Sequence, residues 1–321
     1  MRSIFPHFKA ETWNPDMKSL LVHCFLWSVV AMLTTGCAMS GSTAQQKPAD
    51  FGVLVMAHGG SKDWNRAVRA AVTPLESRYP IDLAFGMADP KSLQESVQRL
   101  EKQGAHRIAV VRLFVSGESF KDRTEQILGI APGAPPKPSH EQHAGHDMSL
   151  WRISTQSAFA MSDDGLLDSP EMGVVLAERA GALSHNPATE DVLILAHGPG
   201  EDDENARWLA KLNARAEAVR RSKPFRRVSV ETLREDWPDK RVAAEQRIRS
   251  FVERAKTEQG TAIVLPFRVQ GFGPYAEVLA SLDYVSDGVG LLPDPKVTDW
   301  IERQAQVLRA GQFRKPLAST Q

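Results

Sequence analysis

The chain has 321 residues, 24% of them charged and 42% hydrophobic, with 39 basic residues against 39 acidic ones. At roughly 100–200 residues per domain this length predicts about two domains, and the ordinary charge content excludes a mostly disordered chain. The formal net charge of zero gives no electrostatic reason to expect nucleic acid, and two cysteines, Cys24 and Cys37, exclude a disulfide scaffold and a Cys-rich zinc site.

The one long apolar stretch runs from Leu20 to about Leu33, behind Lys18. It is short for a membrane span and has the length of a signal-peptide core. Met17-Lys18 makes a tidier start for such a signal than Met1 does. The stretch ends in Leu33-Thr34-Thr35-Gly36-Cys37, which resembles a bacterial lipoprotein lipobox with Thr34 where the pattern prefers Leu. That resemblance implies a signal peptide over residues 1–37 and lipidation of Cys37. It also implies a place on the periplasmic face of the cell envelope, touching the membrane by the lipid anchor only, and Ala38 after the cysteine implies the outer membrane. The competing reading is an N-terminal anchor helix that is never cleaved. Residues 38–50 carry Ser, Thr, Gln, Lys and Pro without apolar period and read as a tether.

The folded part opens on Phe51-Gly52-Val53-Leu54-Val55-Met56-Ala57-His58-Gly59-Gly60, a continuous apolar run meeting a tight turn. Such a run is a strand buried on both faces. After it, Trp64, Ala67, Val68, Ala71, Val72 and Leu75 recur at helical spacing. Ile81–Met87 reads as a second strand. Asp89-Pro90 supplies an N-cap and first-turn proline for a helix with Leu93, Val97 and Leu100 on one face. Gly104 closes that helix, and Ile108–Val115 is a third, strongly apolar strand. Ala131–Ser139 is Pro-rich and loop-like, His140–Asp147 is His-rich, Trp151–Ala160 reads as a strand returning to the first half, and Pro170–Ser184 as a helix.

Asp191-Val192-Leu193-Ile194-Leu195-Ala196-His197-Gly198-Pro199-Gly200 then repeats the opening pattern, with His197 offset from His58 by 139 positions. That spacing is a domain-length repeat. Trp208, Leu209, Leu212, Ala216 and Val219 mark a helix, Val228–Leu233 a strand, and Ala244, Ile248, Phe251 and Ala255 a helix ended by Gly260. Ile263–Val269 is the matching strand, and a last helix runs from about Asp294 to Leu308. Strand–helix alternation in each half predicts right-handed crossovers and parallel sheets. The expected fold is therefore α/β: two similar modules, each a parallel sheet flanked by helices, with a cleft between them. Residues 51–184, with an insertion at 131–150, form the first module and 185–321 the second.

Ligands of open parallel sheets bind beyond the carboxyl ends of the strands, where His58 and His197 both fall. A neutral imidazole there can accept a proton or hold a metal, and it can equally just cap the following turn. The turns Gly59-Gly60-Ser61 and Gly198-Pro199-Gly200 promise free backbone N–H groups for an anion. No Gly-Lys-Ser/Thr follows either turn, which excludes a nucleotide P-loop, and no Gly-x-Ser-x-Gly elbow occurs. The third strand ends in Ser116-Gly117-Glu118-Ser119-Phe120, putting Glu118 beyond the same edge as His58. The corresponding Gln270-Gly271-Phe272-Gly273-Pro274-Tyr275 has little that ionises, so the first module reads as the better equipped. Lys62, Arg66 and Arg123 are candidates for holding ligand carboxylates, with a solvated face as the alternative. The acidic run Glu201–Glu204 reads as complementing a helix N-terminus.

The sequence of apolar strand, His-Gly-Gly-Ser, amphipathic helix, Asp-Pro-Lys-Ser-Leu, Gly-Ala-His-Arg-Ile and Leu-Phe-Val-Ser-Gly resembles the sirohydrochlorin cobaltochelatase/ferrochelatase family. The similarity runs well from Val53 to about Arg123 and weakly from Val192 to Tyr275. It implies two α/β modules around a tetrapyrrole cleft and insertion of Co2+ or Fe2+ into a tetrapyrrole such as sirohydrochlorin, without nucleotide. It makes His58 the metal ligand and proton acceptor. The family's second histidine lies in Gly-x-His, which here reads Gly117-Glu118-Ser119, so Ser119 stands in its place. Glu118 is the substitute catalytic and metal-binding residue, one position out of register. Gly59, Gly60, Ser61, Ser119 and His197 are the expected substrate contacts.

His140, His143 and His146 recur every third residue, with Glu141 and Asp147 beside them. They read either as a low-affinity divalent-metal loop or as a solvated insertion with incidental histidines. Three functions compete: a chelatase, a non-catalytic metal- or tetrapyrrole-binding protein of the envelope on the same scaffold, and a structural envelope protein with a vestigial site.

Overall fold

The computed structural model describes residues 50–138 and 149–318. The signal segment with Cys37, all of the tether but Asp50, and His140, His143 and His146 lie outside the described residues.

In the first module, β1 (Phe51–Ala57) leads through α1 (Lys62–Val72) to β2 (Ile81–Phe85), then through α2 (Pro90–Lys102) to β3 (Arg107–Leu113). A short α3 (Lys121–Ile127) and β4 (Ala158–Met161) follow, and the sheet runs β2-β1-β3-β4, all parallel. After α4 (Pro170–Leu183) the second module repeats the plan: β5 (Glu190–Ala196), α5 (Asp202–Ser222), β6 (Arg227–Thr232), α6 (Pro238–Thr257) and β7 (Thr261–Phe267). Its parallel sheet has the order β6-β5-β7, and α7 (Tyr275–Val278) and α8 (Pro295–Ala310) complete the chain. Two similar parallel-sheet modules flanked by helices are thus what the sequence encodes.

The two opening strands of the modules sit at the centre of their sheets. Every residue of β1 and of β5 is buried, because each strand has a neighbour on both edges and helices on both faces; hence the unbroken apolar runs. Helix starts follow local chemistry. Ser61 Oγ accepts from the Trp64 backbone N–H at 3.2 Å, and Asp89 accepts from Ser92 N–H at 2.7 Å just before Pro90. Asp294 does the same for Lys296 N–H at 2.9 Å ahead of Pro295.

Helix packing crosses between the modules. α4 lies against α5 and β7, whereas α8 lies against β1, β3 and β4. One core therefore runs from Val53 and Val55 of the first sheet through Met172, Leu212 and Trp300 to Ile194 and Leu265 of the second. The outer face of the first sheet is covered by α2 and α3 over Leu54, Met56 and Ile108, and that of the second by α6 and α7 over Leu193, Leu195 and Val264.

Trp151–Ala160 differs from expectation: only Ala158–Met161 is strand. Trp151 and Ile153 are buried in the outer core, but the Ile153 N–H donates to Ile127 O at 2.9 Å and the Arg152 N–H to Pro135 O at 2.7 Å. The apolar alternation comes from a loop packed on α3, whose backbone bonds never join the sheet.

At the foot of β5, Asp191 is fully buried and accepts from Arg226 Nε and Nη2, each at 2.9 Å, and from Arg227. Burial pushes its carboxyl up, but the hydrogen bonds from Arg226 and Arg227 outweigh that and hold it below the usual range. A depressed folded value means stability fully present above the unfolded value of about 3.9 and lost as pH falls from there through the lower folded value. Asp191→Asn is expected to cost about 2 kcal/mol at neutral pH and to flatten the fall of the thermal midpoint between about pH 5 and 3. Thermal melts across that range check both effects.

Candidate functional site

Both central strands stop at an alanine followed by His-Gly. Gly59 and Gly198 take φ of 80° and 79°, the left-handed region that favours glycine. A Cβ on Gly198 would stand 2.7 Å from Thr232 Cβ, and one on Gly59 3.2 Å from Phe85 Cβ. The repeated motif is thus a repeated turn. In each turn the histidine Nδ1 lies against the next residue's carbonyl, at 2.9 Å for His58 and 2.6 Å for His197. A carbonyl only accepts, so Nδ1 carries the hydrogen. With Nδ1 so engaged, Nε2 is the ring nitrogen of the exposed His58 left to meet a metal or a proton.

The strand ends of both modules enclose a cavity of about 620 Å3, within the range of small-molecule sites. His58, Gly59, Gly60 and Trp64 line it after β1, Met87 after β2, and Phe114, Val115, Glu118, Ser119 and Phe120 after β3. The second module adds His197 to Gly200, Glu204 and Trp208 of α5, Asp236 and Trp237 after β6, and Arg268 to Gln270 after β7. Trp64, Phe114, Phe120, Trp208 and Trp237 bring aromatic faces to a mostly apolar wall, which suits a flat, apolar ligand.

The second module proves better furnished than the sequence suggested. His197 Nε2 stands 3.0 Å from Asp236 Oδ2 and 3.9 Å from Glu235 Oε2, with Trp237 edge-on at 6.0 Å. Both ring nitrogens thus face acceptors, the Gly198 carbonyl at Nδ1 and the Asp236 carboxylate at Nε2. His197 and Asp236 together form an acid–base pair at the cavity wall. Sequence reasoning looked for acids after β7; they stand after β6, in Arg234-Glu235-Asp236-Trp237 directly behind a legible strand. Arg268 donates to Glu235 and lies over the Tyr275 ring at 5.6 Å.

Glu118 reaches the cavity wall but is engaged elsewhere. Arg207 of α5 donates to it from Nε at 3.0 Å and from Nη2. That bond holds the Glu118 carboxyl below the usual range, keeping it ionised. It enters the site as a carboxylate clamped between modules, a pairing 89 residues apart that local sequence does not show. Its loop hangs from Arg112, a buried guanidinium on β3. Arg112 donates to Gly117 O at 2.6 Å, Ser119 O at 2.9 Å and, from Nε, Ser162 O at 2.9 Å. Burial lowers its pKa from the ordinary arginine value. A charged residue inside an apolar buried strand was the signal that sequence reasoning passed over.

The glycine-rich turns are less open to an anion than expected. The Gly60 N–H donates to Asn65 Oδ1 at 3.0 Å, and Ser61 caps α1 and is not among the lining residues. In the second turn Pro199 O and Gly200 O accept from Arg234. Arg66 pairs with Asp63 on an exposed face, and Arg123 donates to Ala88 O at 3.1 Å and Ser149 O at 2.6 Å. Of the acidic run, Asp202 accepts from Lys240 and Arg234 and Glu204 from Trp208 Nε1, and no side chain caps α5. No group of three or more His, Cys, Asp or Glu able to hold a metal occurs among the described residues.

Residues 52–133 match the CbiX family model, a stretch that holds β1 to α3, His58 and the Glu118 loop. SirB from Bacillus subtilis, solved with Fe3+, is similar in structure with a TM-score of 0.58 at 15% identity, over 83% of this chain and 99% of that one. The fold is chelatase-like. The sirohydrochlorin chelatase SirB from Bacillus subtilis subspecies spizizenii, in complex with cobalt, gives a TM-score of 0.55 at 11% identity, over 83% of this chain and all of that one. A multi-domain protein of Deinococcus radiodurans with structural similarity to chelatases gives 0.51 at 17% identity, over 82% of this chain and 55% of that chain. No curated protein matches the chain. The family model thus stops within the first module, and the second is chelatase-like by its fold.

Proposed function

We propose that the protein brings a divalent metal ion and a tetrapyrrole together in the cavity between its modules, as a metal chelatase that uses no nucleotide. The observation that carries this reading is His58, exposed at a strand end with Nδ1 held against the Gly59 carbonyl, lining a cavity that both modules share and to which five tryptophan and phenylalanine side chains contribute. The family resemblance brings with it Co2+ or Fe2+ as the ion and sirohydrochlorin as the macrocycle. Insertion requires two pyrrole N–H protons to leave while the ion sheds water. His58 Nε2 would hold the substrate ion as it loses water, one pyrrole proton passing to the His197–Asp236 pair on the same cavity and the other to solvent water. Trp64, Trp208 and Trp237 exclude water from the ring faces and orient the macrocycle.

A second reading, non-catalytic binding of metal or tetrapyrrole, is favoured by one observation: Ser119 stands where the family has its second histidine, and Glu118 is committed to Arg207. Spectroscopic assay of Co2+ and Fe2+ insertion into tetrapyrrole separates the two. Insertion above the spontaneous background, lost in His58→Ala, supports the chelatase; saturable binding without turnover supports the carrier, and neither removes both. Cell-envelope attachment through Cys37 belongs to the same reading and rests on the Leu33–Cys37 segment. Labelled palmitate is expected in the full chain and absent from Cys37→Ser; equal labelling, or none in either, removes the anchor.

A further inference from the structure

Three strand ends of the second module converge on His197. It follows the central β5, Glu235 and Asp236 follow β6 on one side, and Arg268 follows β7 on the other. Two successive carboxylates face its Nε2, Asp236 Oδ2 at 3.0 Å and Glu235 Oε2 at 3.9 Å. Their surroundings differ: the Asp236 side chain is 72% exposed and lines the cavity, whereas that of Glu235 is 11% exposed and does not. Glu235 is held at both ends. Its backbone N–H donates to His197 O at 3.3 Å, beside the Arg234 N–H at 2.7 Å. Its Oε1 accepts from Arg268, which leaves Oε2 as the oxygen turned to the imidazole. Arg268 is itself boxed in. The ring of the wholly buried Tyr275 lies 5.6 Å from the guanidinium. Gly273, at φ 65°, brings the backbone near enough that a Cβ there would stand 2.7 Å from Arg268 Cζ. Gly273 and Tyr275 belong to the segment after β7 that carries little that ionises; what it does is enclose a cation.

We infer that Glu235, braced by Arg268, is a positioning residue for the His197–Asp236 pair and that Asp236 is the member that exchanges the proton with water, an inference that rests on the reading of that pair as a proton acceptor in metal insertion. A carboxylate fixed beside Nε2 favours the charged form of the ring and sets its direction. Buried and tied to Arg268, Glu235 keeps that place while the cavity fills and empties. The exposed Asp236 does the exchanging. A pyrrole N–H bond breaks, the proton is bound within the pair, and it leaves from the Asp236 carboxylate to a water molecule, which restores the pair. The other charges of this wall are turned elsewhere: Arg234 donates to Pro199 O, Gly200 O and Asp202, and Glu204 accepts from Trp208 Nε1.

Glu235→Gln tests this, since the amide oxygen can keep the Arg268 bond while the amide NH2 replaces the charge at Nε2. In 15N-labelled full-length protein without ligand, the midpoint of the His197 titration is expected to fall by about half a pH unit or more, with His58 in the same sample as the unmoved reference. In turnover with Co2+ and sirohydrochlorin, kcat for insertion is expected to fall by about ten-fold while macrocycle affinity stays within about two-fold, because Glu235 does not line the cavity. Glu235→Asp keeps the charge and is expected to recover part of both losses. An unmoved His197 midpoint overturns the inference whether or not the protein inserts metal, and so does a moved midpoint with unchanged kcat. A moved midpoint in a protein whose wild type inserts no metal overturns the chelatase reading and leaves Glu235 as the residue that sets the His197 ring.

Discussion

Arg112→Met is expected to be the most destabilising single change in the first module. Its aliphatic part fits the space, but the backbone carbonyls of Gly117, Ser119 and Ser162 lose their charged donor inside the protein. Each unsatisfied buried acceptor costs about 1–3 kcal/mol. The losses are not additive, and a total of about 3–4 kcal/mol is the expectation, which at roughly 2 °C per kcal/mol for a chain of this size lowers the thermal midpoint by about 6–8 °C. Because the same bonds hang the Ser116–Phe120 loop at the cavity, ligand binding should weaken in the fraction that still folds. Arg112→Lys restores the charge but gathers its donors on one nitrogen and should recover only part of the loss, since a point charge replaces a planar fork. Melting and ligand titration of both variants check this; a midpoint within about 1 °C of wild type would show that water replaces the guanidinium.

His58→Ala is expected to lower the rate of metal insertion by at least about 100-fold, because the ligand that holds the ion at the cavity is lost, while leaving macrocycle affinity within a few-fold. The split follows from position. His58 stands exposed at the rim, so its removal opens no core cavity, and the aromatic wall that would hold the ring is untouched. Metal affinity without macrocycle should fall as well, because no cluster of other ligands surrounds the ring among the described residues. His197→Ala is the informative contrast: it frees Asp236 and Glu235 from their partner and should change the pH profile of turnover more than the affinity for the ion. Steady-state kinetics across pH with both variants separates the roles, and equal loss in both would argue for one shared function.

Much of this architecture was legible because its strands are central. Val53–Met56 and Val192–Leu195 are buried on both faces, so their apolar runs needed no alternation to be read, and the His-Gly turn repeated after each. Capped helices such as Asp89-Pro90 were equally plain. Shorter elements were not: α3 has seven residues and α7 four, too few for a helical period to stand out from a loop. The site was legible only where it is local. His58 and the Glu118 loop follow directly from strand ends, but the Glu118–Arg207 pair joins two modules and depends on their packing. Asp236 and Arg112 were missed for opposite reasons, one lying behind an edge strand that was read and not followed, the other masked by the apolar run around it.

The core common to both modules has a consequence for how a ligand gets in. Lobes joined by a thin linker can swing apart like the covers of a book. Here α4 and α8 stitch each half into the other's interior, and prising them open would expose Trp300 and Met172 to water. A ligand therefore enters and leaves without the halves swinging apart, so that the spacing between the two imidazoles is set before anything arrives.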